Sequence, residues 1–147
     1  MKKPTVAICY DFDMTLSPKN MQEFKFFDDL GFAPNEFWTK QNYFCEKNIS
    51  DRMLANMYSM VKEAKDKGII LTKEKFAEYG KSVQFFDGVE TWFERINKYG
   101  EEIGVNVEHF IISSGIKEII EGTPIAKYFK KIYACSYIYN EQGEPIW

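Results

Sequence analysis

The most constraining feature of this sequence is a short apolar segment that ends abruptly in two carboxylates. Residues Thr5 to Tyr10 are apolar and partly β-branched, which predicts a buried strand. Asp11-Phe12-Asp13 follows at once, and Ser17-Pro18 then breaks the chain. Acidic residues directly beyond the carboxyl end of a buried strand are typical of wound α/β sheets, which place their functional groups at that edge.

The rest of the chain alternates helical and strand-like patterns. Between 17 and 86 the spacing predicts only helices, with Pro34 in a first turn and Ser50 and Thr72 as N-caps. An amphipathic helix is predicted from Val89 to a terminator at Gly100. Strands follow at 107–112 and 130–139, with a turn at 113–115 and a helix from 116 between them. The order predicts an α/β fold with a parallel sheet, formed by residues 1–16 and 87–147, and an α-helical insertion at 17–86.

Composition excludes several classes of function. Nineteen basic residues against 22 acidic ones give a net charge of −3, which argues against a nucleic-acid-binding protein. No apolar run reaches the roughly 20 residues of a membrane span. Lys2-Lys3 and the short apolar stretch from Val6 to Cys9 do not make a secretory signal, because the stretch runs into Asp11. We expect a cytoplasmic protein; the oligomeric state stays open.

The few potential soft metal ligands do not form a recognisable motif. The three cysteines (Cys9, Cys45 and Cys135) are widely spaced, and His109 is the only histidine, so a thiolate zinc site is not expected. Buried free thiols are the expected state of the cysteines. His109, which precedes the second predicted strand, is expected to be structural.

The acidic pair at the end of the first strand indicates a site for a hard cation. Like charges this close raise one pKa, and a bound cation removes the penalty. Mg²⁺ is commonly held by one or two carboxylates together with a substrate phosphate. One carboxylate can then act as nucleophile and the other as proton donor and acceptor. The alternative is that Asp11 and Asp13 are ordinary turn residues.

Two segments resemble the motifs of a known family. The apolar strand followed by DFDMTL, Asp11 to Leu16, resembles the first motif of the haloacid dehalogenase (HAD) superfamily, and FIISSG, Phe110 to Gly115, is similar to the second. The helical block between them resembles the family's C1 cap, and the extended second motif is most similar to the phosphoserine-phosphatase-like branch. The resemblance implies a Rossmann-like HAD core with a helical cap at 17–86.

The resemblance also implies roles for individual residues. Asp11 is expected to be the nucleophile that forms an aspartyl-phosphate and to bind Mg²⁺ through its other carboxylate oxygen. Asp13 is expected to be the proton donor and acceptor and to bind Mg²⁺ through its backbone carbonyl. Ser113 and Ser114 are expected to bind the substrate phosphate, and Thr15 to steady the loop. From physics alone, Ser113 and free N–H groups at a helix start also make an anion site, although simple N-capping by the serines is the alternative. The expected activity is hydrolysis of a small phosphate monoester.

The family's third and fourth motifs, a lysine and an acidic GDxxxD-type segment, do not occur. We expect that the chain is truncated before them, and that it is weakly active or inactive by itself, because phosphoryl transfer depends on neutralising charge. A non-catalytic phosphate- or partner-binding module of the same fold is one alternative function. A phosphotransferase or mutase that uses the same aspartyl-phosphate is another. Arg52 suits a substrate anion or a surface salt bridge.

Overall fold

The structure is a computed structural model that describes residues 3–147. Met1 and Lys2 lie outside the described residues; both belong to the predicted core at 1–16, and Lys2 was considered above as the start of a secretory signal. The elements along the chain are β1 (Thr5–Tyr10), a 3₁₀ turn (Met21–Glu23), α1 (Lys25–Leu30), α2 (Pro34–Asn48), α3 (Arg52–Asp66), α4 (Lys73–Gly80), α5 (Val89–Glu102), β2 (Asn106–Ile116), α6 (Lys117–Glu121), a second 3₁₀ turn (Ala126–Tyr128) and β3 (Phe129–Cys135).

The strands form a parallel sheet in the order β1-β2-β3, which confirms the predicted α/β class. Tyr10 pairs with Ile111, so the residues that follow β1 lie beside the end of β2. Parallel pairing needs a crossover, and the helical block from 21 to 80 lies within the first one. The two sequence motifs therefore meet at the carboxyl edge of the sheet.

The expectation that β1 is buried is wrong. Val6 is 49% exposed and Cys9 is exposed. Among residues 3–147, β1 lies at the edge of the sheet with β2 as its partner, and no layer covers these two side chains. Ile112 and Tyr133, which pair across β2 and β3, are also half exposed, so one face of the sheet lacks a covering layer among residues 3–147. The exposure of β1 also corrects the expected burial of Cys9; Cys45 is buried as predicted and Cys135 is half-buried.

The ends of the other two strands differ from the predictions. β2 continues through the predicted turn at 113–115, with its register shifted between Ile112 and Ile116. β3 ends at Cys135 and not at 139, because the following segment folds back on itself. Tyr139 forms an antiparallel bridge to Pro145 around the predicted turn at Gln142-Gly143, where Gly143 has a φ of 77°.

The helices form where the spacing predicted them, with two corrections at their ends. Asp51, not Ser50, caps α3, since its carboxylate accepts the N–H groups of Met53 and Leu54. Gly100 lies inside α5 and does not terminate it. A Cβ there would lie 2.6 Å from Cγ2 of Val107, so the glycine permits close packing of α5 on the sheet. Pro34 is the first residue of α2, and Thr72 is the N-cap of α4, both as predicted.

A single aromatic-rich core extends beneath both the helices and the sheet. Its fully buried aromatic members are Phe12, Phe26, Phe27, Phe37, Phe76, Tyr79 and Phe93. Helix α4, inside the predicted insertion, packs backbone to backbone on α6, where Cβ atoms on Gly80 or Gly122 would meet carbonyl oxygens. The core thus fixes the helical block over the carboxyl edge of the sheet. Within the described part of the chain, the helices lack the length and apolarity that crossing a membrane requires.

Candidate active site

The loop after β1 is a tight turn organised by Phe12. The Phe12 side chain is fully buried, and its carbonyl oxygen accepts the N–H groups of Thr15, Leu16 and Ser17 at 3.3, 2.9 and 3.2 Å. Met14 adopts a left-handed conformation, with φ of 59°, which non-glycine residues rarely do. The turn fixes the two aspartates on either side of Phe12 in different environments.

Asp13 is half-buried and is the most perturbed carboxyl group of the site. Burial raises its pKa from 3.8 to about 7, and the negative charges of Asp11 and Glu23 add to the rise. The N–H of Met21 donates to Asp13 Oδ1 at 2.9 Å, which lowers the pKa in part. Near neutral pH, Asp13 is therefore divided between its protonated and ionised forms.

Asp11 has a more open environment. Its side chain is exposed, and Oδ1 accepts the N–H of the next residue, Phe12, at 2.8 Å. This bond orients the carboxylate at the end of β1 without burying it. A carboxylate that is oriented and exposed can reach a group in solution.

The irregular segment of β2 at Ser113-Ser114-Gly115, here called the serine turn, is near Asp13 but differs from the expected anion site. Ser114 and Gly115 line the same cleft as Asp13. Ser113 Oγ accepts the Gly115 N–H at 3.0 Å, and the Ile116 N–H contacts Sδ of Met21 at 3.1 Å. The expectation of free N–H groups at this turn is therefore wrong. Neither serine caps α6, which begins at Lys117 and has five residues, so the alternative of N-capping is also wrong.

A cleft of about 380 Å³ opens between this turn and the helical block. Asp13, Ser114 and Gly115 form one side of it. The other lining residues are Asn20, Gln22, Glu23, Trp38, Gln41, Asn42, Arg52, Met53 and Asn56. Most of these were not predicted from the sequence. Arg52 and Asn56 are one helical turn apart on α3, so the helical period would have grouped Asn56 with the arginine.

The cleft contains two charged side chains besides Asp13. Glu23 Oε1 accepts hydrogen bonds from Asn20 Nδ2 and from Trp38 Nε1, the latter at 3.0 Å. No salt bridge to Arg52 occurs within residues 3–147, so the surface salt bridge considered for it is not observed. An anchored carboxylate and an unpaired guanidinium thus lie in the same cleft.

His109 lies away from the cleft, between α5 and the sheet. It is 2% exposed, and burial lowers its pKa. The Tyr10 hydroxyl lies 2.9 Å from Nδ1, and the Asn97 Oδ1 lies 2.9 Å from Nε2. Trp92 Nε1 donates to the Tyr10 oxygen at 2.8 Å. Both ring nitrogens have protein partners, which is consistent with the expected structural role.

Solved structures with a similar order of strands and helices identify the fold. A HAD family hydrolase from Salmonella enterica serovar Typhi has a TM-score of 0.65 at 14% identity, covering 97% of this chain and 45% of its own. A phosphoserine phosphohydrolase-like protein from Francisella tularensis has a TM-score of 0.53 at 19% identity, covering 97% and 62%. A phosphoserine phosphatase with a phospho-aspartyl intermediate analogue has a TM-score of 0.56 at 19% identity, covering 97% and 61%.

The chain has the fold of HAD hydrolases of the phosphoserine-phosphatase-like type. At these identities the likeness establishes the HAD fold alone. No protein-family model matches the sequence. An uncharacterized protein from Borreliella burgdorferi is 31% identical over 145 residues, which cover 90% of this chain and 50% of that protein. The chain therefore spans about half the length of this relative and 45–62% of its HAD-fold neighbours.

The donor groups of the site suit the Mg²⁺ that the resemblance implies. Asp11 supplies hard carboxylate oxygens, and the backbone carbonyl of Asp13 is the second donor that the resemblance implies. Burial is the main cause of the raised pKa of Asp13, and a nearby cation would offset the smaller contribution that the Asp11 charge makes. No group of three histidine, cysteine or acidic side chains is placed to hold a metal among residues 3–147. Mg²⁺ usually keeps several waters and needs only one or two carboxylates, so two donors are chemically sufficient for a weak site.

Proposed function

We propose that this protein is a Mg²⁺-dependent phosphomonoester hydrolase that acts on a small phosphorylated metabolite through an aspartyl-phosphate. The observation that carries the proposal is the position of Asp13. This carboxyl group, with a pKa raised to about 7, lines a cleft with Ser114, and the exposed Asp11 carboxylate is two residues away. Its environment suits proton transfer at neutral pH. The proposal includes the expected cytoplasmic location.

In the first step, a carboxylate oxygen of Asp11 attacks phosphorus and forms an acyl-phosphate bond. The bond between phosphorus and the ester oxygen breaks, and protonated Asp13 donates its proton to the departing alkoxide. In the second step, Asp13 takes a proton from water as the water attacks phosphorus, which releases phosphate and restores Asp11. A pKa near 7 allows Asp13 to serve in both directions.

The serine turn would bind the transferred group. Ser114 lines the cleft, and its hydroxyl would donate to a phosphoryl oxygen. Ser113 would support this site without contacting the phosphate, since its Oγ already accepts the Gly115 N–H and fixes the turn. Mg²⁺, held by the Asp11 carboxylate and the Asp13 backbone carbonyl, would offset negative charge on the phosphoryl oxygens and leave the Asp13 carboxyl group free for proton transfer.

A non-catalytic phosphate-binding module is the second candidate function. One observation favours it: no three-ligand metal cluster occurs in residues 3–147. The two candidates make different predictions for binding and turnover. The module binds phosphate and leaves phosphate esters intact.

The test is hydrolysis of an aryl phosphate by the full chain with and without Mg²⁺. We expect Mg²⁺-dependent turnover that is lost in Asp11→Asn and falls about 10²–10⁴-fold in Asp13→Asn. Asp28→Asn, at an exposed carboxylate on α1, is the matched control and should retain activity. Calorimetric binding of phosphate without any turnover would establish the module instead. Turnover that is unchanged in Asp11→Asn would overturn the mechanism.

A further inference from the structure

The part of the cleft beyond the Asp13 and Ser114 side is dominated by side-chain amides. Five of its lining residues are amides: Asn20, Gln22, Gln41, Asn42 and Asn56. An amide offers both a donor and an acceptor, whereas a carboxylate only accepts and a guanidinium only donates. This composition is suited to a neutral polar ligand group and differs from a site built from charges alone.

Two of these amides are buried and incompletely bonded. Gln22 is 2% exposed and Asn56 is 6% exposed, and the carbonyl oxygen of each has no hydrogen-bond partner within residues 3–147. The Gln22 amide nitrogen reaches only Sδ of Met60, at 3.9 Å, which is a weak acceptor. By contrast, Asn20 donates to Glu23, and Gln41 donates to the Arg52 carbonyl at 3.0 Å.

An unpaired buried amide oxygen destabilises the folded protein, so two of them in one cleft need an explanation. Their positions provide one. Gln22 directly follows Met21, whose N–H binds Asp13, and Asn56 lies on α3 one turn from Arg52. Both amides therefore line the cleft next to groups that could hold a phosphate ester, Gln22 through its neighbour Met21 near Asp13 and Asn56 near Arg52.

The chemistry of the missing partner favours a hydroxyl group. Both unpaired atoms are acceptors, so the missing partner must donate. A hydroxyl donates to the amide oxygen, can also accept from the amide nitrogen and brings no charge into a buried site, whereas an ammonium group only donates and brings a positive charge. Both oxygens are shielded from solvent here, and a substrate would reach them once the amides turn about their soft terminal torsions. A cleft of about 380 Å³ suits a small leaving group.

We propose that Gln22 and Asn56 select phosphate esters whose leaving group carries free hydroxyls, such as polyol or sugar phosphates. This inference rests on the proposed phosphatase function and adds the class of substrate. The two residues act on specificity by binding the leaving group, and they take no part in the transfer of phosphorus. The alternative substrate class is a phosphate ester with a zwitterionic leaving group, which Glu23 and Arg52 would bind.

The test compares kcat/KM for glycerol 3-phosphate, which carries two hydroxyls, with propyl phosphate, which has the same carbon chain and none. We expect the full chain to prefer glycerol 3-phosphate about tenfold or more, since each lost hydrogen bond to a buried polar group costs about 1–3 kcal/mol. The ratio should fall towards one in Asn56→Leu and in Gln22→Leu. Asn35→Leu, at an exposed amide in the first turn of α2, is the matched control and should keep the ratio.

The outcomes separate this inference from the proposed function. Aryl phosphate turnover without a preference for glycerol 3-phosphate overturns the inference and leaves the phosphatase standing. A tenfold preference for phosphoserine over glycerol 3-phosphate also overturns it, and assigns specificity to Glu23 and Arg52. Absence of turnover on all esters overturns both. Circular dichroism checks that each variant folds; if Asn56→Leu does not, Asn56→Ser replaces it and should give an intermediate ratio.

Discussion

Replacing Asp13 by asparagine should stabilise the protein at neutral and alkaline pH. The folded state raises the pKa of this carboxyl group mainly by burial, so ionised Asp13 is disfavoured relative to the unfolded chain. Asparagine removes the charge and keeps the oxygen that accepts the Met21 N–H. The catalytic cost of the substitution and its gain in stability therefore have the same physical origin.

The size of the effect follows from the two pKa values. The folded-state pKa of about 7 lies about three pH units above the usual 3.8, and each unit corresponds to about 1.4 kcal/mol. The full difference is thus about 4 kcal/mol above pH 7. Since the side chain is only half-buried, water screens part of this cost, and we expect about 2 kcal/mol. The unfolded state loses its proton first, so the wild-type protein loses this stability as pH rises from about 4 to about 7.

Urea denaturation in EDTA, followed by tryptophan fluorescence, measures the effect. EDTA is needed because a divalent cation would stabilise the ionised carboxyl group. The free energy of unfolding of Asp13→Asn minus that of wild type should be near zero at pH 4 and about 2 kcal/mol at pH 8. Asp28→Asn should show no comparable pH-dependent gain. A difference that stays constant between pH 4 and 8, or a variant less stable than wild type at pH 8, would refute the reasoning.

Three further predictions concern stability away from the site. Burial lowers the pKa of His109, so the unfolded chain takes up a proton first as pH falls below 6.5, and the wild-type protein loses at most about 1.4 kcal/mol of unfolding free energy per pH unit. His109→Gln should remove this loss. Urea denaturation of both proteins between pH 7 and 5 measures the difference. Ile49 is 95% exposed with a φ of 49°, so Ile49→Gly should raise the melting temperature by about 2–4 °C, and a lower melting temperature would contradict this. A Cβ on Gly122 would lie 1.9 Å from the Ala77 carbonyl oxygen, so Gly122→Ala should lower the free energy of unfolding, measured by urea denaturation, by about 1–3 kcal/mol or more. An unchanged urea midpoint would show that α4 and α6 are less closely packed.

The sequence allowed prediction of the features that depend on local pattern. The order of strands and helices, the first turn at Pro34 and the cap at Thr72 follow from periodicity and from residues with strong local preferences. The acidic pair could be assigned to the edge of the sheet because chain order and parallel pairing fix that position. These predictions needed no knowledge of which elements pack together.

The wrong predictions depended on tertiary neighbours. An apolar strand does not reveal whether both of its sides are paired, so Thr5–Tyr10 was expected to be buried although it is an edge. Ser113-Ser114-Gly115 is typical of a turn, yet in the structure it is an irregular segment within β2, which resumes its pairing with β3 at Ile116. Gln22 and Asn56 gave no strong signal, since an amide on a helical segment is usually solvated and its burial depends on the facing element.

Met21 shows why the two motifs could be recognised separately while their connection could not. Its N–H binds Asp13, its sulphur accepts the Ile116 N–H at 3.1 Å, and a Cβ on Gly115 would collide with its terminal methyl group. One buried methionine therefore positions the acidic loop against the serine turn, 95 residues further along the chain. Unbranched, polarizable methionine fills such irregular gaps, and a pattern-based analysis assigns it to the core. The geometry that brings Asp13 and Ser114 into one cleft is thus carried by a residue whose type suggests only packing, and a side chain at Gly115 would have to displace the end of this methionine.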